Sequence, residues 1–473
     1  MTRRVTRERP GLPARAVSLA ALAGSLAACA LALAACLMGC SAHGGATGAQ
    51  AAASVQLASF DQAWQRIGET FPHADMNGLD WNAVRDELRP KAARARSAAD
   101  LRPILADMLG RLHESHFQVI AGSGPNAMPE AAPVDGRPAT SEARALPSAL
   151  GDLGFELRPL GDDLLVTRVE TGSPAEQAGV RMGWTLLSAD GQDTRALLRR
   201  LRRDVADREA ADVEAWLLAT HALQGDAGST AALTFLTDGD GRAELRVVRR
   251  IAPGEPFQLG NLPVLVTRFE QETLPGNVGL LRFNIFLIPV AAPFSDAVRD
   301  FVASDAKGII IDLRGNPGGI GGMVMGLAGH FIGTPGTSLG TMITREGKLD
   351  FVANPRAKSQ LFEGPLAVLV DGMSVSTSEL FAAGLQQVGR ARVFGQPSAG
   401  MALPSIVESL PNGDRIQFAV ADLLGPAGER IEGTGVVPDT PITPTREQLL
   451  AGRDPVIEAA LAWIGSQDGA ARH

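Results

Sequence analysis

The chain has 473 residues, 45% of them hydrophobic, and a formal net charge of −8. That length and apolar share can bury a large core and suit two or three domains. The acidic balance leaves no electrostatic footprint for nucleic acid.

The amino end comes first. Arg3, Arg4, Arg7, Arg9 and Arg15 precede an apolar, alanine- and leucine-rich run over 16–39, followed by the small, polar "CSAHGGATGAQ". A basic n-region, an apolar h-region and small residues at a cleavage point make a secretory signal. The run is also long enough to span a bilayer as a retained helix. "LAAC" ends at Cys29 and again at Cys36, and "LMGC" at Cys40. These resemble the lipobox of bacterial lipoproteins, in which the cysteine becomes the lipidated first residue. Cys29 lies too deep in the apolar run. Cys40 stands where apolar gives way to polar and is the expected lipidation site, with Cys36, which has the more typical box, as the alternative. Cleavage before Cys40 removes five arginines and one glutamate, so the charge becomes −8 − 4 = −12. It also leaves no second cysteine, hence no internal disulfide, which suits an oxidising compartment. The expectation is a body lipid-anchored on the periplasmic side of a bacterial envelope, at the outer membrane rather than the inner.

Residues 40–54, rich in Gly, Ala and Ser, read as a flexible tether. A helical domain is expected over 55–121. In "ADLRPILADMLGRLHESHF" the residues Leu101, Ile104, Leu105, Met108, Leu109 and Leu112 recur at the offsets of one helix face. Residues 122–147 lack apolar periodicity and carry much Pro, Gly and Ala, as a linker does.

A second module is expected over 148–252. "FELRPL" and "LLVTRVE" read as strands, and "SPAEQAGV" as a short helix capped by Ser173 with Pro174 at its first position. Residues 197–223 read as helix, and "AALTFL" and "AELRVVRR" as a hairpin around "TDGDG". The last region, 260–465, alternates strand and helix. "VGLLRF", "GIIIDLRG" and "PLAVLVDG" are buried-strand runs. "STSELFAAGLQQVG" is a helix ending at Gly389, "SIVESLPNGDRIQFAVA" a hairpin around Asn412-Gly413, and "PVIEAALAWIG" a closing helix. The fold class is α/β with antiparallel additions.

The chemistry centres on "VLVDGMSVSTSELF", 368–381, where Ser374, Ser376 and Ser378 alternate just as a strand gives way to a helix. Unpaired first-turn N–H groups at such a junction can bind a developing oxyanion. Serine also caps helices routinely, so from spacing alone both roles stay open and no one serine is chosen. The stretch is not the "G-x-S-x-G" elbow of the α/β-hydrolases.

Three ordered motifs, "GIIIDLRGNPGG" (308–319), "VDGMSVSTSELFAAGLQQVGRARVFGQPSAG" (370–400) and "IEGTGVVPD" (431–439), resemble the C-terminal processing, or tail-specific, serine protease family. The 148–252 module, through "GSPAEQAGVRMGW", resembles the PDZ domain these proteases carry. The resemblance covers nearly all of the chain after the signal. It implies a crotonase/ClpP-like core with an inserted PDZ-like domain and an N-terminal helical segment. It implies Ser376 as nucleophile, polypeptide substrates and no metal or organic cofactor.

Most bacterial members of that family activate the serine with a lysine. The matching position here, after "GRARVFGQPSAG", is Met401, and no lysine follows Lys358. A thioether cannot take a proton at neutral pH, so a Ser–Lys dyad is excluded. "GRLHESHFQV" offers His113 and His116, whose spacing does not fit the zincin "H-E-x-x-H". A histidine at a helix end can also serve the helix dipole or a core hydrogen bond. The tricorn-type branch of the family uses a histidine preceded by serine, ahead of the PDZ domain, and a glutamate late in the core. Ser115-His116 matches the first and Glu432 the second. The resemblance thus implies His116 as general base, near its working pKa at neutral pH, with Ser115 and Glu432 as an orienting relay.

The glycine-containing loop "RGNPGG" lets backbone N–H groups approach a ligand closely. Gly318 and the Thr377 N–H are the expected oxyanion donors, with Gly319 beside them. Asp312 and Arg314 read as a structural pair. A PDZ-type loop around Leu153, Gly154 and Phe155 is expected to hold a substrate's terminal carboxylate, an unpaired tail being added as a strand. Trp184 stands where an aspartate is common, so the module can alternatively gate access to Ser376. The family resemblance extends to retinoid-carrying proteins, and Met401 keeps open the alternative of a non-catalytic binder of peptides or apolar ligands.

Overall fold

The computed structural model describes residues 44–122, 150–205, 207–259 and 264–470. The expected signal over 1–39, with Cys36 and Cys40, lies outside them, as does all but Gly122 of the expected linker.

A helix runs from Gly44 to Thr70, so it begins inside the stretch read as a tether. "GAQAAAS" is alanine-rich, and alanine has the highest helix propensity. Two further helices follow, Trp81–Ala92 and Ala98–Gly110, the second opened by a Ser97/Asp100 capping box. Phe60, Ile67, Phe71, Leu88, Leu101, Leu105 and Met108 close a core that also takes in Ile416 and Phe418. Those two come from the hairpin of strands Ser405–Ser409 and Arg415–Ala419. The strand Gln118–Ile120 extends that hairpin antiparallel, with Val119 opposite Ile416. Residues 111–117 therefore link a helix end to a strand that is docked on the carboxyl-terminal hairpin.

The middle module is an antiparallel sheet in the order Phe155–Leu160, Asp163–Val169, Thr185–Ala189, Thr230–Leu236, Arg242–Val248. The strand Phe155–Leu160 is its edge. The helical stretch read over 197–223 is two helices, Thr194–Asp204 and Arg208–Leu223. The second starts anew because the Asp207 side chain accepts the Ala210 N–H and caps it. Trp184 lies in the module's apolar core, 5.7 Å from the Phe235 ring.

The last region is built on a six-stranded sheet: Phe269–Leu274, Val278–Phe283, Gly308–Asp312, Leu366–Val370, Arg392–Gly395 and Thr440–Pro441. The first pair is antiparallel and the rest are parallel. Ile309, Ile311, Val368 and Val393 face one apolar layer with helices Ala291–Ala303 and Thr377–Gln387. Ile310, Ala367, Leu369 and Phe394 face the other, covered by Val456, Ala460 and Ile464 of the helix Pro455–Ala470. Burial on both faces is why these strands read as continuous apolar runs.

Candidate active site

The strand Leu366–Val370 leads through 371–376 into the helix Thr377–Gln387. The structure separates the three serines. Ser374 and Ser378 are buried, and their hydroxyls donate to the carbonyls of Leu313 (2.8 Å) and Asn316 (2.9 Å). Both are fasteners between the elbow and the loop after strand Gly308–Asp312. Ser376 is partly exposed and sits at φ 58°, a conformation non-glycine residues rarely adopt. Strained backbone at a chain reversal that presents one hydroxyl is a recurrent feature of functional sites.

The glycine loop packs directly on this elbow. A Cβ on Gly318 would stand 2.8 Å from Ser376 Cβ, so the position requires glycine. The Gly318 carbonyl accepts the Phe286 N–H (2.7 Å), and its own N–H donates to Asn316 Oδ1 (3.0 Å). That donor is already engaged. Gly319 is exposed, and its carbonyl accepts the Thr377 hydroxyl (2.9 Å). Thr377 is the first residue of its helix, where N–H groups have no intrahelical acceptor.

His116, at φ 63°, follows the helix Ala98–Gly110 by six residues. Its Nδ1 is 2.7 Å from Ser115 Oγ. The Ser115 N–H donates to Glu432 Oε1 (3.0 Å), and the Ser115 hydroxyl also interacts with that carboxylate. Glu432 Oε2 accepts the Ala402 N–H (2.7 Å). Burial pushes His116 down to about 4, below the near-neutral value expected from sequence, because the charged imidazolium loses its hydration. It is neutral at pH 7 and able to accept a proton. Burial also raises Glu432. His113, by contrast, is exposed.

The Met401 side chain packs against an apolar cluster of Val213, Trp216, Met373, Val375 and Ala399. Val213 and Trp216 belong to the middle module's helix Arg208–Leu223. Its backbone carbonyl accepts the Ser376 N–H (3.0 Å). One residue that sequence reasoning did not single out also meets the elbow: Glu379, whose Oε2 accepts the Ser376 N–H at 2.8 Å. The signal was present as the Ser376-x-x-Glu379 spacing of a capping box.

The expected carboxylate loop lies at the start of the module's edge strand. Gly154 has φ 78°, and Leu153 and Phe155 turn their side chains into the module's core. From the same strand Arg158 crosses to the other region, its Nε donating to Asp371 Oδ2 (2.7 Å) and Nη2 to the Arg314 carbonyl (2.8 Å). Asp312 and Arg314 do form a buried pair (2.8 Å), joined by Arg282 (2.7 Å).

Residues 277–442 match Peptidase family S41, and residues 57–110 match the Tricorn protease C1 domain. The carboxyl-terminal core is a Peptidase family S41 domain. The chain is 24% identical over 302 residues to a probable CtpA-like serine protease of Staphylococcus aureus, covering 63% of this chain and 54% of that protein. The chain thus spans about half the length of that relative. It is also 24% identical over 379 residues to a carboxyl-terminal-processing protease of Synechocystis, covering 80% of this chain and 79% of the other. Among solved structures, the photosystem II D1 C-terminal processing protease is similar in fold, with a TM-score of 0.55 at 21% identity over 84% of this chain and 96% of that one. Mature CPAF complexed with lactacystin gives a TM-score of 0.51 at 14% identity over 88% and 98%. The family matched over the core is a peptidase family, and the relatives are described as serine and carboxyl-terminal-processing proteases.

Proposed function

We propose that this chain is a serine endopeptidase of the bacterial envelope, acting through Ser376, His116 and Glu432 with Ser115 as relay. The observation that carries the reading is the relay itself: Ser115 stands between Glu432 (3.0 Å from its N–H) and His116 Nδ1 (2.7 Å from its Oγ). With its O–H directed to the carboxylate, Ser115 Oγ accepts the Nδ1–H, which leaves the Nε2 lone pair of a neutral imidazole for the nucleophile's proton.

In this mechanism Ser376 Oγ attacks the peptide carbonyl carbon while His116 Nε2 takes the hydroxyl proton. The oxyanion is met by backbone N–H groups. Thr377 and Gly319 suit that role best, because the Gly318 N–H is donated to Asn316. His116 then protonates the leaving amine, and a water activated by the same nitrogen hydrolyses the acyl-enzyme. The Glu432–Ser115–His116 relay supports the enzyme over a non-catalytic binder, while among the described residues no hydrogen bond joins His116 to Ser376, so the proton transfer needs the two to close together on substrate.

The middle module we assign as PDZ-like and the core as crotonase/ClpP-like. An unpaired edge strand, Phe155–Leu160, preceded by the Leu153-Gly154-Phe155 turn, suits capture of an extended carboxyl-terminal tail. Substrates are accordingly unfolded or exposed carboxyl-terminal segments. Lipidation at Cys40, or at Cys36, anchors the protein in the envelope. The test is cleavage of an unfolded protein and of apolar-tailed peptides by the wild type, Ser376→Ala and His116→Ala. Turnover in the wild type that both substitutions abolish supports the reading, and equal background in all three rejects it.

A further inference from the structure

Glu379 is fully buried in the first turn of the helix Thr377–Gln387. Four donors converge on its carboxylate. Oε1 accepts from Ser398 Oγ (2.6 Å) and the Gly400 N–H (2.7 Å), and Oε2 from the Ser376 N–H (2.8 Å) and the Met401 N–H (3.1 Å). Two donors per oxygen fill the acceptor capacity of an ionised carboxylate. No cation is among its hydrogen-bond partners. The charged group that faces it is a second carboxylate, Glu432. An uncompensated buried charge is costly, and a side chain that only capped its helix would need one or two of these bonds.

The next peptide group shows what the arrangement holds. The Met401 carbonyl accepts the Ser376 N–H (3.0 Å), and on the opposite side of the same peptide the Ala402 N–H donates to Glu432 Oε2 (2.7 Å). Glu432 in turn carries Ser115, and Ser115 carries His116. Glu379 and Glu432 thus grip consecutive N–H groups of one short segment, the first from the nucleophile's side and the second from the base's side.

We propose that Glu379 is a positioning residue for the reaction, locking the Ser376 backbone to segment 398–401 so that the nucleophile stays in register with His116. The role rests on the Ser376–His116 assignment above. In this chain the segment contributes its backbone, while the Met401 side chain is spent on packing. The clamp requires the ionised form. A proton on either oxygen turns one of the four acceptor sites into a donor, so one of the converging bonds must reverse or be lost; only Ser398 Oγ, which also accepts the Val436 N–H (2.6 Å), can reverse, and that leaves its own O–H without this acceptor. Burial, with the Glu432 charge adding to it, pushes Glu379 up to about 7, so the clamp loosens just below neutrality.

The test uses the full chain carrying Glu379→Gln or Glu379→Ala, with peptide turnover followed over about pH 5–9 and normalised to active sites titrated by a fluorophosphonate. The Gln amide imitates the protonated carboxyl. It should lower kcat about ten-fold at alkaline pH with KM within about two-fold, and remove the acid limb near neutrality that the wild type shows. Glu379→Ala should lose about a hundred-fold or more in kcat. If the Ala variant does not fold, the Gln variant decides. A Gln variant with wild-type kcat per titrated site and an unmoved acid limb overturns the proposal. So does a loss confined to the number of active sites, which marks a structural role. Wild-type turnover lost in Ser376→Ala and His116→Ala but kept in the Glu379 variants removes the positioning role alone. A wild type that neither turns over peptide nor takes the label removes the proposed function and this role with it.

Discussion

The Ser115 N–H and Glu432 Oε1 lie 3.0 Å apart although 317 positions separate them in the chain. Two features create the approach. The strand Gln118–Ile120 pairs with Arg415–Ala419, and Arg102 fastens the preceding helix to Asp414 in a two-pronged bond of 2.8 and 3.0 Å. The amino-terminal helices are therefore fastened to the carboxyl-terminal core, and they hold Ser115 and His116 against Glu432.

This division of labour sets the expected order of losses. His116→Ala removes the proposed proton acceptor and should lower kcat by about 10²–10⁴-fold. Ser115→Ala leaves the imidazole in place but unoriented, and should cost less, about 10–10²-fold, with KM little changed. Steady-state kinetics on an unfolded-peptide substrate checks both. A Ser115→Ala enzyme as active as the wild type would show that the relay is ornamental.

Met401 is expected to matter for packing and not for proton transfer. It is only partly buried, so Met401→Ala should destabilise the fold by about 1–2 kcal/mol, less than truncation in a full core. Turnover per active site should stay within about three-fold of wild type. Thermal unfolding and active-site titration separate the two effects. A large loss of kcat without loss of stability would return the thioether to the chemistry.

Acid should weaken the fold through His116. Its folded value of about 4 lies below the ordinary histidine value of 6.5, so the native state binds fewer protons than the unfolded chain between the two. The stability from a neutral, partly buried imidazole is fully present above 6.5 and is lost as pH falls toward 4. Glu379 works in the opposite sense: its folded value of about 7 exceeds the ordinary 4.5, and its contribution is lost as pH rises through that range. Comparing denaturant midpoints of wild type and His116→Gln across about pH 4–7 isolates the first effect, and the variant should show the shallower acid loss.

Arg158 joins the middle module to the elbow. Its side chain is 12% exposed, and its partner Asp371 is 8% exposed while also receiving the N–H groups of Gly315 (3.0 Å) and Met373 (2.9 Å). Arg158→Met strands a buried carboxylate and should cost about 3–5 kcal/mol. Replacing both residues, as Arg158→Met with Asp371→Asn, should recover part of that loss. A double-mutant cycle on denaturant unfolding measures it.

Much of this site was legible before the fold. The parallel strands read as apolar runs, the elbow as a strand-to-helix junction, and Ser115-His116 and Glu432 as a pair through the family resemblance. What spacing could not give was which serine is free. That depends on Leu313 and Asn316, whose carbonyls consume the hydroxyls of Ser374 and Ser378. Nor could it show that the Gly318 N–H is engaged with Asn316 Oδ1 while Gly319 lies exposed, since that follows from how the loop turns back under Phe286. Glu379 was hidden for a similar reason. Its capping spacing is local, but three of its four donors come from residues 398–401. The break between the module's two helices turns on Asp207, an acidic residue within an otherwise helical pattern.

The most direct measurement is single-turnover labelling by a fluorophosphonate, with the modified residue located by mass spectrometry in wild type and His116→Ala. Modification of Ser376, at least about a hundred-fold slower in the variant, is the expected result. An unlabelled wild type, a label on another serine, or equal rates in the two proteins would contradict a Ser376 nucleophile activated by His116.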